Sequence, residues 1–178
     1  MPFLSIITRC YKRPSMLARQ IDTVVYQDDP DYEQILLTDS IGRGIGYANR
    51  LLATARPLGE YVMVLDDDDW LVHDNAIGLM KEATAVEGPA LLIFRADHNG
   101  LGILPSKAVW QHRPIKGQIG SCDFITRRDT WDRHIHAFGV EEAGDYAYLF
   151  NVWQDNPSVV WLDEILAGVQ RISRGASE

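Results

Sequence analysis

The sequence predicts an α/β fold with a mainly parallel central sheet flanked by helices, and three observations carry that expectation. Apolar runs of strand length recur at Phe3–Thr8, Gln34–Leu37, Tyr61–Leu65 and Ala90–Phe94. They are largely continuous rather than alternating, as strands buried on both faces are. The segments between them carry apolar residues at helical spacing. Polar groups (Thr8-Arg9, Asp39 and the run Asp66–Asp69) follow three of these strands in the same sense. They should therefore gather along one sheet edge, where open α/β sheets bind ligands.

Taken in order, the first strand Phe3–Thr8 leads through Arg13-Pro14-Ser15, with proline near a helix start. The following helix, from about Ser15 to Tyr26, is expected to bury Leu17, Ile21, Val24 and Val25. Gln34–Leu37 is the second strand and ends at Thr38-Asp39-Ser40. Gly42-Arg43-Gly44-Ile45-Gly46 then opens a helix carrying Ile45, Ala48, Leu51, Leu52 and Ala55, and Pro57 and Gly59 stop it. Tyr61–Leu65 is the third strand. A helix from about Asp74 to Val86 and the strand Ala90–Phe94 continue the pattern. Ala96 to Gly120 reads as irregular loops over a site. Beyond it come a short strand at Asp123–Thr126, helices from about Arg128 and from Gly144 to Gln154, and a last strand near Ser158–Leu162.

At 178 residues the chain suits one domain spanning positions 1–178. A formal charge of −8 argues against nucleic acid as the main partner. The two cysteines, Cys10 and Cys122, are too few for a disulfide framework and fit a reducing compartment, the cytoplasm. No apolar stretch approaches the ~20 residues needed to span a bilayer.

The segment Tyr61-Val62-Met63-Val64-Leu65-Asp66-Asp67-Asp68-Asp69-Trp70-Leu71 is the strongest functional signal. An apolar strand runs into four consecutive carboxylates, and each ionised Asp raises the pKa of its neighbours unless a cation or solvent offsets the repulsion. In an extended chain Asp66 and Asp68 share a face while Asp67 points the other way. An EF-hand loop starting at Asp66 fails, because Leu71 and Ile77 occupy the positions that need Gly and Glu. An Asp-x-Asp phosphatase stays as an alternative, although Trp70 and the absence of a matching downstream acidic pair count against it. An acidic surface turn is the bland reading. The remaining reading is a metal–nucleotide site in which Asp68, with Asp66, holds Mn²⁺ or Mg²⁺.

Four blocks together resemble the inverting family-2 glycosyltransferases with the GT-A fold. These are Ser5-Ile6-Ile7-Thr8-Arg9-Cys10-Tyr11-Lys12-Arg13-Pro14, Thr38-Asp39-Ser40-Ile41-Gly42, Gly46-Tyr47-Ala48-Asn49 and Leu65-Asp66-Asp67-Asp68-Asp69-Trp70-Leu71. The resemblance implies a GT-A-like single Rossmann-type domain, with residues 1–95 as a nucleotide-binding half and 96–178 as an acceptor-binding and catalytic-base half. It implies a donor site drawing on Thr8, Arg9, Tyr11, Arg13, Asp39, Asp66, Asp67 and, near the C-terminus, Arg171. The family's late Glu-Asp pair supplies the catalytic base. Asp145 fits its second position with Gly144 in place of the Glu, and Glu142 is the other candidate. Lys12 and Ser40 depart from the family pattern in the same region.

The chemistry can be argued from the residues as well. Asp39, an acceptor-only carboxylate, could take the N3–H of uracil or thymine or the N1–H and amino group of guanine, whereas cytosine lacks a ring N–H, which disfavours a CMP-sugar. The expected donor is UDP-, dTDP- or GDP-linked, a UDP-sugar first. An Asx-turn role is the competing reading for Asp39. Asp66 could hold ribose hydroxyls while Asp68 reaches the metal, with Asp69 a secondary metal or sugar-hydroxyl candidate. The metal and Arg9 would neutralise charge on the departing diphosphate. Asp145 would deprotonate the hydroxyl of a glycan or small acceptor. A non-catalytic nucleotide-sugar or glycan-binding module is a further alternative. His73 and His112 lie close enough in sequence to note. Trp110 could stack on a sugar, and Cys10 reads as a small buried apolar residue.

Overall fold

The computed structural model describes residues 1–139 and 143–170. Among the described residues, eight strands and five α-helices follow one another: β1 Leu4–Cys10, α1 Pro14–Val25, β2 Tyr32–Thr38, α2 Ile45–Leu51, β3 Tyr61–Val64, β4 Trp70–Leu71, α3 Ala76–Thr84, β5 Leu91–His98, β6 Gly102–Leu104, β7 Phe124–Arg127, α4 Arg128–His134, α5 Gly144–Gln154 and β8 Val159–Val169. They build one sheet in the order β2-β1-β3-β7-β5-β8-β4, with β6 pairing β5. β1, β2, β3, β5 and β8 share one direction, so the sheet is mainly parallel as expected.

The alternation within each central strand explains the continuous apolar runs. Tyr61 and Met63 of β3 join one core with Leu4, Ile6, Leu92 and Phe94, covered by Val24 of α1 and Ile77 and Met80 of α3. Val62 and Val64 join a second core on the opposite face with Ile7, Leu91 and Ile93, covered by Leu52, Trp131, Phe138, Tyr148 and Val152. The second core is aromatic. Tyr148 stacks on Phe138 at 4.6 Å and on Phe124 at 5.9 Å between ring centroids. Its hydroxyl shares a 2.8 Å hydrogen bond with Thr126, so the buried phenol is not left unpaired.

Three expectations need correction. Val25 is 61% exposed, and the buried stripe of α1 is Gln20 and Val24, one helical turn apart. Gln20 Oε1 accepts there from Gln34 Nε2 at 2.8 Å, while its own Nε2 has no hydrogen-bond partner among the described residues. The last strand runs on from Leu162 to Val169, because the register with β5 slips between Phe94 and Ala96 and leaves the polar Asp163-Glu164 unpaired at a bulge. That interruption makes one strand read as a strand followed by a loop. The stretch from Ala96 is also not wholly irregular. β5 continues to His98 and turns back through Gly100 (φ +80°) into β6.

β7 enters antiparallel between β3 and β5. Its reversed direction brings Gly120–Asp123, just before β7, to the edge where β1, β3, β5 and β8 end. The chain therefore converges on that edge from both directions. No helix among the described residues is long and apolar enough to cross a membrane.

Gly59 locks the entry to β3. Its N–H donates to Ser5 Oγ at 2.8 Å, and a Cβ there would lie 2.5 Å from the backbone nitrogen of Ser5. Gly59→Ala is expected to destabilise the fold by ~1–3 kcal/mol through overpacking. The midpoint of thermal unfolding should then fall by several degrees, at ~2–4 °C per kcal/mol for a chain of this size.

Candidate functional site

Where β3 ends, the chain stays paired to the end of β1 for three more residues. Leu65 N donates to Ile7 O at 3.0 Å and Asp67 N to Arg9 O at 3.3 Å. It then turns, with Asp69 N donating to Asp66 O at 3.1 Å. The extended part sends Asp66 and Asp67 to opposite sides, and the turn brings Asp69 back beside Asp66 and Asp68. Each of these three offers a carboxylate oxygen within 4.8 Å of the others. Three hard oxygen donors at that spacing suit Mn²⁺ or Mg²⁺.

Two arginines from β1 and the loop after it partner the run. Arg9 forks onto Asp66, with Nε at 2.6 Å from Oδ1 and Nη2 on Oδ2, and its Nη1 donates to Asn49 Oδ1. Arg13 bridges two carboxylates, holding Asp68 through Nη1 at 2.6 Å and Asp67 through Nη2. Asp67 also accepts from Tyr11 N at 2.9 Å. Asp69 forms no ion pair among the described residues. Burial, followed by the neighbouring Asp66, pushes the Asp68 carboxyl up to about 6. Burial, then Asp66 and Asp68, raises Asp69 well above the usual carboxylate range. Burial also raises Asp67 and Asp145. Burial opposes the charge on Arg9, but Asp66, with Asp145 and Asp69, outweighs it and the guanidinium is held the more firmly protonated.

Three cavities meet at Arg9. The largest, about 400 Å³, is lined by Arg9, Asn49, Lys116, Ser121, Phe138 and Asp145 among others. A second of about 270 Å³ brings Arg9 together with Asp66, Asp68, Asp69, His98 and Asp145. A narrow third of about 70 Å³ runs past Arg9, Tyr11, Arg13, Leu37, Asp39 and Asp66. Arg9, Tyr11, Arg13, Asp39, Asp66, Asp68 and Asp145 therefore share one connected region.

Other expected residues stand apart. Thr8 is fully buried and its hydroxyl accepts from Gln34 Nε2 at 3.1 Å, so it faces the core. Asp67 is 1% exposed and turned onto Tyr11 and Arg13, lining none of these cavities. Asp39 makes the Asx turn, its Oδ1 accepting from Ile41 N at 2.9 Å and Gly42 N at 2.8 Å, while the residue also lines the narrow cavity. Glu142 and Arg171 lie outside the described residues. His73 is exposed and lines none of the three cavities, nor does His112. Trp110 packs edge-on against Trp161 at 5.0 Å and beneath Arg95 at 4.1 Å.

The structure adds Asn49, Lys116, Ser121, His98 and Asp123. Asn49, an amide on the otherwise apolar face of α2, is 3% exposed and carries Arg9. A polar residue at a core-facing helical position was the available signal. His98 Nε2 lies 3.1 Å from both oxygens of the fully buried Asp123, which also accepts from Gly120 N at 2.7 Å. That pair depends on β7 running backwards beside β5, which sequence spacing does not reveal.

Gly144 explains the departure from a Glu-Asp pair. A Cβ at this position would stand 2.5 Å from the backbone oxygen of Phe138 and 2.6 Å from Asn49 Nδ2. No glutamate fits there. Ala143 adopts the left-handed region (φ +68°), and α5 begins at Gly144 with Asp145 in its first turn. Asp145 Oδ1 accepts from Tyr146 N at 2.7 Å.

The raised carboxyls give a pH dependence with a definite sign. A carboxyl whose pKa is higher folded than unfolded takes up its proton more readily in the folded state, so stability rises as pH falls through that window. For Asp68 the window runs from about 6 down towards the ordinary Asp value of 3.8. In EDTA the protein is expected to melt at a higher temperature at pH 5.5 than at pH 7.5. Asp68→Asn should shrink that difference, as differential scanning calorimetry would show.

Compared by sequence, the chain matches no family model and no curated protein. Solved structures do match. TarS 1–349 of S. aureus in complex with UDP superposes with a TM-score of 0.73 at 15% identity, over 94% of this chain and 60% of that one. The mannosyltransferase PcManGT from Pyrobaculum calidifontis, solved with GDP-Man and Mn²⁺, gives 0.69 at 13% identity over 98% and 58%. A glycosyltransferase involved in glycosylation of the major capsid of PBCV-1 gives 0.63 at 10% identity over 97% and 96%. The chain thus spans about 60% of the length of the first two and nearly all of the third. It has a GT-A-like fold.

Proposed function

We propose that this chain is a glycosyltransferase that uses Mn²⁺ or Mg²⁺ to transfer a sugar from a nucleotide-sugar donor, UDP-linked before dTDP- or GDP-linked, to an acceptor hydroxyl with inversion. One observation carries the reading: the carboxylates Asp66, Asp68 and Asp69 line the same cavity as Arg9 and Asp145. The fold supports it, and so do the UDP and the GDP-Man with Mn²⁺ bound by two structures of that fold.

Residues 1–95 form the nucleotide half in this reading and 96–178 the acceptor half. Tyr11, Arg13 and Asp39 border the narrow cavity where a nucleoside would enter. Asp66, Asp68 and Asp69 would hold the metal, which supplies charge neutralisation for the departing diphosphate. Arg9 presents fixed positive charge to the same cavity, so charge developing there meets a guanidinium already in place. Asp145, its pKa raised by burial, is suited to accept a proton from an acceptor hydroxyl in the larger cavity. Attack from that side, opposite the leaving diphosphate, inverts the anomeric centre. A reducing cytoplasm fits the two buried, unpaired thiols, Cys10 and Cys122.

Thermal-shift titration of UDP, GDP, dTDP and CDP, each with and without Mn²⁺, tests the donor assignment. Stabilisation that needs the metal, largest with UDP and least with CDP, is expected. Metal-independent or absent binding would overturn it. Asp145→Asn should retain UDP and Mn²⁺ binding while turnover falls ~10²-fold or more, the scale of a general base. Release of phosphate from p-nitrophenyl phosphate would point instead to the phosphatase. Nucleotide binding with neither donor hydrolysis nor transfer would point to a binding module.

A further inference from the structure

The arginines that neutralise the aspartate run sit on carboxylates assigned to the cation. Arg13 is the clearer case. Its guanidinium spans Asp67 and Asp68, and the two carboxylates differ. Asp67 is 1% exposed, is anchored by Tyr11 N, and lies outside the candidate metal cluster. Asp68 is more open, with 14% of its side chain exposed, and is part of that cluster. Arg13 Nε is buried with no hydrogen-bond partner among the described residues. The guanidinium is therefore fixed at one corner, unpaired at another and shared at the third. The side chain also lines the narrow cavity with Tyr11 and Asp39, next to the place proposed for the nucleoside.

Resting on the metal-site reading above, we propose that Arg13 is a built-in competitor for the divalent cation. It occupies Asp68 while the site is empty, is displaced when the metal arrives, and stays tethered to Asp67 beside the nucleotide cavity. A cation closing on the cluster competes with the guanidinium for Asp68 Oδ2, the oxygen Arg13 holds, so binding the metal alone weakens the Arg13–Asp68 pair. A nucleoside diphosphate brings new negative charge to the freed guanidinium and offsets that loss. Metal and nucleotide then strengthen each other's binding by the same factor, because linkage is reciprocal. The cluster thereby selects the metal–nucleotide complex over the free ion.

The test measures Mn²⁺ binding by isothermal titration calorimetry, with and without UDP, in the wild type, Arg13→Gln and Arg13→Lys. Circular dichroism and thermal melting establish that each variant is folded. Arg13→Gln frees Asp68 and should bind Mn²⁺ alone at least about tenfold more tightly, with a smaller enhancement by UDP. Arg13→Lys separates direct competition from a general field effect. Lysine keeps the charge but lacks the planar fork that spans two carboxylates, so held by Asp67 it leaves Asp68 open. Its affinity for Mn²⁺ alone should also rise. Unchanged or weaker Mn²⁺ binding in Arg13→Gln overturns the proposal, as does a gain in Arg13→Gln with wild-type affinity in Arg13→Lys. If Mn²⁺ binds to none of the three proteins, with or without UDP, the metal-site reading itself fails, and the competitor role falls with it.

Discussion

The fork between Arg9 and Asp66 is the contact on which the rest of the site depends. Four adjacent carboxylates at a strand end repel one another and resist burial, and this one guanidinium ties the first of them to the neighbouring strand. Its third contact, to Asn49, reaches α2, so a single side chain links β1, the acidic turn and the helix packed beneath Phe138. All three cavities border Arg9. The charge distribution and the shape of the crevice are therefore set by the same residue.

Around that fork the carboxylates divide by environment. Asp67 is spent on structure, closed over by Tyr11 and Arg13. Asp68 is half committed to Arg13, and Asp69 carries no ion pair among the described residues. The run thus passes from arginine-paired to unpaired within four residues, and the carboxylate without an arginine among the described residues is the one at the turn. Asp145 belongs to the same electrostatic group at a distance, held at the start of α5 by a left-handed residue and by a glycine that admits no side chain.

The sheet supplies the convergence. β1 and β3 end at the crevice in parallel, β7 begins there because it runs in reverse, and β8 finishes beside β5 at the same edge. Val169 and Gln170, at and just beyond the end of β8, complete the cavity wall next to His98. Residues from both halves of the chain thus face one another, and the long connection from β6 to β7 brings Lys116 to Cys122 over the same edge.

Much of this was legible before any coordinates. Continuous apolar runs announced strands buried on both faces, and Met63 and Val64 do lie in opposite cores. The acidic run marked the edge, and the α5 boundaries follow from helical spacing alone, because local periodicity is written residue by residue. Pairings between distant segments were not legible. No spacing rule reveals that β7 runs backwards, that His98 meets Asp123, that a bulge hides half of β8, or that Asn49 fills the space a glutamate at 144 would need. Those features depend on register and on which backbones approach within a few ångströms, and such relations exist only once the chain is folded. The sequence by itself determined that four aspartates stand at a strand end and need positive charge. Tertiary structure decided which arginine reaches each of them and which carboxylate is left for a ligand.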